Sequence, residues 1–338
     1  MPNPDLPSAP QPSAPLPSAP LPSADPLPAA DLPLLHLAQA VRETGYRFVT
    51  ATPATHERVN RRPVNEQARD LAGVFGWSRP FRPEALPPAI FTLMRQAGVA
   101  VADPQGWRSL IRISSLDDAL FLHSAHPTSA AGSVFLGPDT YRFAAAVRAA
   151  LEARRAPVRR AVDIGCGAGP GAILIARARP AAEILMVDIN HDALRLARVN
   201  AALAGLGNAC SRHSDLLTAV DGDFDLIVSN PPYLLDPAQR AYRHGGGSLG
   251  EGLSLAILDA ALNRLARGGT LVLYTGVAIV DGADGFRAAV VRRLAGRDFA
   301  WSYREVDPDV FGEELETSAY AMADRIAAVV LTATKPGE

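Results

Sequence analysis

The spacing of apolar residues changes from helical to strand-like and back along the chain. In the N-terminal third, apolar positions recur at helical spacing over Leu34–Glu43, Val64–Phe75 and Pro83–Gly98, which predicts three helices. Two short apolar runs, Ser109–Ile113 and Ala119–Leu122, flank a polar turn and predict a β-hairpin. Three helices followed by a hairpin give the outline of a winged helix.

From residue 144 onwards, short apolar runs alternate with helical patterns. The predicted strands are Ala161–Ile164, Ile184–Val187, Ala209–Arg212, Phe224–Val228, Thr270–Tyr274, Ala300–Val306 and Arg325–Thr332. The predicted helices are Ala144–Arg155, Ala172–Arg179, Asp192–Leu203 and Ser254–Ala266. This alternation is typical of a parallel sheet with right-handed crossovers. We therefore predict an α/β fold with a doubly wound, mostly parallel, seven-stranded sheet and a smaller helical N-terminal domain that carries the hairpin.

The first 33 residues repeat Pro-Ser-Ala-Pro-Leu units and lack both the basic segment and the unbroken apolar core of a signal peptide. So many prolines predict an extended, disordered tail. No run approaches the roughly 18 consecutive apolar residues of a membrane span, so we expect no membrane partner. The predicted organisation is a tail (1–33), an accessory N-terminal domain (34–134) and a larger domain (135–338).

Composition narrows the classes of function. The 338 residues are 48% hydrophobic with a net charge of −2, which gives no overall electrostatic case for nucleic acid or membrane binding. Arg58, Arg61 and Arg62 cluster, either as a solvated loop or as a phosphate-binding patch. The two cysteines, Cys166 and Cys210, suit neither a disulfide framework nor a metal site, and the histidines lack ligand spacing. We expect a cytoplasmic protein without a bound metal.

The first strand of the larger domain leads into a glycine-rich loop. Its sequence, Asp163-Ile164-Gly165-Cys166-Gly167-Ala168-Gly169, predicts a strand, a turn and the start of a helix. Glycines admit left-handed backbone and leave no Cβ in the way, so a ligand can lie on the chain at the helix N-terminus. The same spacing loosely fits a dinucleotide-binding loop, so NAD is an alternative ligand.

Unusual residues also follow the next three strands. Asp188 follows the second strand, Asp215 and Leu216 the third, and Asn230 the fourth. Ligands of open α/β sheets bind beyond the carboxyl ends of the strands, so these residues are expected to meet in one cleft. The Asp188 carboxylate is placed to accept hydrogen bonds from both hydroxyls of a ribose. The alternative is that Asp188 caps the helix that begins near Asp192.

The fourth strand ends in Asn230-Pro231-Pro232-Tyr233. Two prolines at a strand end lack two backbone donors and leave stiffly oriented carbonyl acceptors. The Asn230 amide oxygen and the Pro231 carbonyl together can accept both hydrogens of a planar NH2 group, while the Tyr233 ring stacks on its face. We therefore predict Asn230, Pro231 and Tyr233 as catalytic residues that position a planar nitrogen. The alternative is a proline-rich turn that packs a core tyrosine.

The glycine loop, Asp188 and the Asn-Pro-Pro-Tyr motif together resemble the class I S-adenosylmethionine-dependent methyltransferases. More narrowly, they resemble the branch that contains release factor glutamine methyltransferases and adenine amino-methyltransferases. The resemblance covers about residues 135 to 335, and it implies S-adenosyl-L-methionine as the cofactor. It implies these cofactor-binding residues: Asp163 for the ammonium, Gly165, Cys166, Gly167 and Gly169 for the methionine moiety, Asp188 for the ribose, Ile189, Asp215 and Leu216 for the adenine, and Asn230 beside the methyl group.

The leading hypothesis is therefore N-methylation of a protein glutamine, with a protein of the release-factor type as partner. Gly137–Thr140 and Tyr242–Leu253 favour this branch, since they resemble the segments that flank its cofactor domain and its catalytic motif. Methylation of an adenine amino group in RNA or DNA and methylation of a small molecule are alternatives. A non-catalytic binding module is a further alternative, against which the intact motif argues. The acidic segment Asp307–Tyr320, called the insert below, is either a lid over the cleft or a solvated loop.

Overall fold

The computed structural model describes residues 26–337. Its N-terminal part contains three α-helices and two antiparallel hairpins. They are α1 (Leu32–Glu43), α2 (Pro53–Asn60), α3 (Pro88–Gln96), β1 (Ala100–Asp103) with β2 (Gly106–Ser109), and β3 (Ile111–Leu116) with β4 (Ala119–Ser124). The first predicted helix and the predicted hairpin, now β3–β4, are present. Helix α2 and the hairpin β1–β2 were not predicted.

The predicted helix over Val64–Phe75 is wrong. The chain forms a short 3-10 turn at Pro63–Asn65 and a π-helical turn at Ala72–Gly76 instead. The reason is the close approach that two glycines permit. A Cβ on Gly73 would lie 2.6 Å from the Ala68 Cβ, and one on Gly76 would lie 2.3 Å from the Phe48 ring. Tertiary packing here overrides the helical spacing of the apolar residues.

The predicted helix over Pro83–Gly98 is shorter than expected. Helix α3 begins only at Pro88, after a separate 3-10 turn at Pro83–Ala85. Leu86 is extended, with φ −124° and ψ 151°, because a residue before proline is excluded from the helical region. The dipeptide Pro87-Pro88 therefore starts the helix rather than lying inside it.

The C-terminal part is a seven-stranded sheet with helices on both faces. Its elements are α4 (Pro138–Ala153), β5 (Arg160–Ile164), α5 (Pro170–Ala178), β6 (Glu183–Asp188), α6 (His191–Leu203), β7 (Ala209–His213), β8 (Phe224–Ser229), α7 (Gly252–Arg264), β9 (Leu265–Val280), the short β10 (Ala283–Asp284), α8 (Gly285–Leu294), β11 (Ala300–Asp307) and β12 (Arg325–Thr334). The strand order is β11-β12-β9-β8-β5-β6-β7, with β10 paired to the end of β9. Strands β5 to β9 are parallel and β12 is antiparallel to both neighbours. The predicted α/β fold with a doubly wound, mostly parallel sheet is confirmed.

Strand β9 is much longer than the predicted Thr270–Tyr274. It starts at Leu265, and the pair Gly268-Gly269 that was expected to precede the strand lies inside it. Its register against β8 shifts between Phe224 and Leu226, and Gly268 adopts a φ of 70°. Glycine allows the chain to bulge there and continue in the sheet.

The predicted tail over residues 1–33 falls mostly on residues 1–25, which lie outside the described part of the chain. The last residues of that stretch are ordered: Ala29–Asp31 forms a 3-10 turn that leads into α1. The Asp31 carboxylate is nearly buried and pairs with Arg195 of α6 at 2.5 Å. This ion pair anchors the residues before α1 to the larger domain.

The two parts of the chain are packed on each other. Asn200 of α6 accepts from the Leu122 amide at 2.8 Å and donates to the Leu122 carbonyl at 3.0 Å, which joins α6 to β4. One continuous core contains α1 residues and residues of the sheet helices. The predicted boundary at residue 134 stays a prediction, and it falls in the loop between β4 and α4. Within residues 26–337, no helix combines the length and the apolar character that crossing a membrane requires.

Candidate active site

A cavity of about 350 Å³ lies where β5, β6, β7 and β8 end. This is a typical size for a small-molecule site. Eleven of the predicted site residues line it: Asp163, Gly165, Cys166, Gly167, Asp188, Ile189, Asp215, Leu216, Asn230, Pro231 and Tyr233. The cavity therefore brings together residues from four separate strand ends, and their individual roles remain predictions.

The glycine loop forms one wall of the cavity. Gly165 and Gly167 have φ values of 67° and 54°, which is the left-handed region that favours glycine. A Cβ on Gly165 would meet no atom within 4 Å, so its backbone faces open space. Gly169 differs from the prediction because it does not line the cavity. A Cβ there would lie 3.3 Å from Met186 and Ala197, so this glycine allows α5 to pack closely on β6 and α6.

Asp188 connects the loops after β5 and β6. One carboxylate oxygen, Oδ2, accepts from the Gly167 amide at 2.9 Å, and Oδ1 accepts from the Asn190 amide at 2.8 Å. The cap of α6 is Asn190, whose side chain accepts from the Asp192 amide at 2.9 Å. The alternative in which Asp188 is that cap is therefore wrong. Each Asp188 oxygen retains a lone pair for a ligand hydroxyl.

Asp163 lies beneath the start of α5. Its carboxyl is 1% exposed, and Oδ2 accepts from the Ala172 amide at 3.0 Å. Burial raises the pKa of this carboxyl to about 7, opposed by the backbone hydrogen bonds from Ala172 and Gly171, and the nearby Asp188 charge raises it further. A cationic group bound next to Asp163 would favour its charged form.

Asn230 and Tyr233 differ in how much of each side chain is available to a ligand. Asn230 is half-buried and lines the cavity, and the hydrogen bonds found within residues 26–337 include none from its amide. Tyr233 is 6% exposed and its ring lies against Gly276, where a Cβ would come within 2.2 Å of two ring carbons. Tyr274 and Phe311 pack on the same ring at centroid distances of 6.5 and 5.9 Å. Tyr233 is therefore firmly held, with little of its ring free to stack on a ligand.

Sequence reasoning missed Asp139 as a side chain of the site, although its segment was noted. Asp139 is 5% exposed, lines the cavity and accepts from the Tyr274 hydroxyl at 2.8 Å. Burial raises its pKa, opposed chiefly by the hydrogen bond from Tyr274, by the nearby Tyr233 hydroxyl and by the charge of Arg142. The Tyr233 hydroxyl lies near this carboxyl without a well-formed hydrogen bond. A signal that could have found Asp139 is the preceding Pro138, because proline favours the first turn of a helix.

Two other parts of the cavity wall lie outside the predicted site residues, although the insert was considered as a possible lid. One is the loop between β4 and α4, which contributes residues from His126 to Phe135. It is tied to the site through Asn190, whose side chain donates to the Gly132 carbonyl at 3.1 Å. The other is Phe311 of the insert. Neither segment carries a local pattern that marks it, because both reach the cavity only through the tertiary fold.

Residues 145–277 match the family model described as "Methyltransferase small domain". This segment is a methyltransferase domain. The match covers the glycine loop, Asp188 and the Asn-Pro-Pro-Tyr motif, and it confirms the predicted class of enzyme domain, for which the sequence implies S-adenosylmethionine as the cofactor. The cavity fits that cofactor, because the domain offers bare backbone at Gly165, carboxylates at Asp163 and Asp188, and apolar surface at Ile189 and Leu216.

The curated relatives of the methyltransferase domain include a release factor glutamine methyltransferase of Deinococcus radiodurans, 37% identical over 174 residues. They also include a ribosomal protein uL3 glutamine methyltransferase of Bordetella pertussis, 39% identical over 131 residues. These matches cover 48% and 35% of this chain and 58% and 44% of the relatives. The chain thus spans about half the length of the curated relatives it matches. Among solved structures, M. jannaschii tRNA m1G37 methyltransferase is 17% identical with a TM-score of 0.45, covering 68% of this chain and 58% of that one, which adds nothing to the fold described above.

The affinity of the methyltransferase domain for S-adenosylmethionine should fall as the pH is lowered through about 7. A carboxyl with a pKa of about 7 is protonated below that pH, and the cofactor ammonium favours the ionised form. We expect roughly tenfold weaker binding at pH 5.5 than at pH 7, measured by calorimetry. The α-amino group of the ligand titrates at about pH 8, above this window, and therefore stays charged throughout it.

The matched variant is Asp163→Asn, which can still accept from the Ala172 amide but cannot ionise. It should bind the cofactor weakly and with the same affinity at both pH values. An unchanged pH dependence in this variant would assign the titration to another group.

Proposed function

We propose that this protein transfers the methyl group of S-adenosylmethionine to the side-chain amide nitrogen of a protein glutamine, in a release factor or a ribosomal protein. The observation that carries the proposal is the Asn230 side chain at the cavity, which has no hydrogen-bond partner among residues 26–337 and is followed directly by two prolines and the buried Tyr233. The names of the relatives from Deinococcus radiodurans and Bordetella pertussis support glutamine as the acceptor.

The residues of the chain would act by binding and orienting. Asp163, the backbone at Gly165 and Asp188 would hold the cofactor, which supplies an electrophilic methyl group when bound. The Asn230 side-chain oxygen and the Pro231 carbonyl would accept the two hydrogens of the acceptor NH2 group. An amide nitrogen is a poor nucleophile because its lone pair is delocalised, and two acceptors on its hydrogens favour a pyramidal nitrogen. Positioning would therefore supply most of the rate enhancement.

Charges near the motif favour a protein acceptor over nucleic acid. The cavity wall contains two arginines, Arg240 and Arg243. Arg240 pairs with Asp236 at 2.7 Å, and Arg243 pairs with Glu314. Guanidinium groups neutralised in this way offer little attraction to phosphates, which dominate the affinity of proteins for nucleic acid.

The experiment that tests the proposal is transfer of labelled methyl groups by the full chain. The acceptors are purified release factors, ribosomal proteins and total RNA from the same organism, and a small-molecule extract. We expect label in a protein, and mass spectrometry of its peptides should place one methyl group on a glutamine. Label confined to RNA or to small molecules would contradict glutamine as the acceptor.

A further inference from the structure

The insert, Asp307–Tyr320, is anchored to the rest of the domain by several of its side chains, although Asp309, Glu313 and Glu316 are exposed. Asp307 pairs with Arg142 of α4 at 2.5 Å, and Glu314 is 7% exposed and pairs with Arg243. Tyr320, at 1% exposure, receives a hydrogen bond from the Leu235 amide at 2.9 Å and donates to the Leu249 carbonyl. The insert is thus fastened to α4 and to the segment that follows the motif.

Phe311 has an unusual backbone conformation within this insert. Its φ is 55° and its ψ is 42°, the left-handed region that is unfavourable for a bulky residue. The conformation is held by the turn that follows, in which the Glu314 amide donates to the Phe311 carbonyl at 2.8 Å. Strained backbone of this kind clusters at functional sites.

The strained backbone delivers the Phe311 ring to the cavity. Its centroid lies 5.9 Å from that of Tyr233, with the ring planes 70° apart. Tyr233 cannot move away, because its other side lies on Gly276 without space for even a Cβ. Two fixed aromatic rings therefore bound the cavity next to the end of the motif that starts at Asn230.

We propose that Phe311 is a specificity-determining residue, which with Tyr233 limits the acceptor subsite to a narrow slot for one flat side-chain group. This inference rests on the proposed function, because it concerns the acceptor of that reaction. The apolar rings of Phe311 and Tyr233 would exclude water from the acceptor nitrogen. They would also disfavour bulkier acceptor groups, which would clash with the rings. Because Phe311 packs on Tyr233 of the motif, its replacement should change acceptor binding rather than cofactor binding.

The test compares Phe311→Ala with Leu315→Ala in the full chain. Leu315 belongs to the same insert and packs on the core, but it does not line the cavity. With the release factor as acceptor, Phe311→Ala should raise the acceptor KM by about tenfold and leave the Kd for S-adenosylmethionine unchanged. Leu315→Ala should lower the Tm without changing the acceptor KM.

An acceptor KM for Phe311→Ala within about twofold of the wild-type value would overturn the inference. An equal rise of KM in Leu315→Ala would also overturn it, since the effect would then come from the stability of the insert. Should the wild-type protein label RNA instead of protein, glutamine is excluded as the acceptor. The two variants are then compared on that RNA, and the same criterion decides the role of Phe311.

Discussion

Replacing Asn230 with alanine should reduce methyl transfer by roughly a hundredfold to a thousandfold, the range seen when one group that stabilises a transition state is removed. The side-chain amide has no hydrogen-bond partner within residues 26–337, so its removal leaves no buried group unsatisfied. The fold and the cofactor pocket should therefore persist. The measurements are single-turnover methyl transfer and the Kd for S-adenosylmethionine, which should stay within about threefold of the wild-type value.

The matched control is Asn263→Ala, the same chemical change on the exposed face of α7. It should retain the wild-type rate. If Asn230→Ala instead bound the cofactor weakly and transferred the bound methyl group normally, Asn230 would be a cofactor ligand and not a residue of the acceptor site.

Replacing Asp188 with alanine should weaken S-adenosylmethionine binding by roughly a hundredfold or more. This carboxylate accepts from the Gly167 and Asn190 amides at 2.9 and 2.8 Å, and charge-assisted hydrogen bonds of this type contribute about 1.5–3 kcal/mol each. Its loss removes the side chain predicted to bind the ribose. It also removes the hydrogen-bond acceptor shared by the loops after β5 and β6. Calorimetric titration with the cofactor measures the effect.

Asp192→Ala is the control for charge, because Asp192 is an exposed acid in the first turn of α6 and does not line the cavity. Its cofactor affinity should match that of the wild type. Wild-type affinity in Asp188→Ala would place the ribose elsewhere in the cavity.

The wrong helix prediction over Val64–Phe75 and the position of Gly169 have one physical cause. In both, close packing depends on the absence of a glycine side chain. Apolar spacing over Val64–Phe75 is compatible with a helix, yet Gly73 and Gly76 lie where the chain touches Ala68 and Phe48. Gly169 was grouped with its neighbours as a ligand-binding residue, a role that stays a prediction, and a Cβ at its position would lie 3.3 Å from Met186 and Ala197. The role of a glycine depends on what its side chain would have touched, and those atoms are far away in sequence.

The meeting of Asp163, Asp188 and Asn230 at one edge could be read from the chain alone, because each of them lies at or just beyond the end of a parallel strand and such ends share one edge of a sheet. The position of each residue at the end of a predicted strand was sufficient to predict that part of the cavity wall. The wall opposite the strands was decided by the tertiary structure: the loop before α4 and Phe311 carry no local pattern that places them there, and the segment of Asp139 was noted without that side chain being identified. Their positions follow from long-range contacts such as Arg142 with Asp307 and Arg243 with Glu314, which no periodicity encodes.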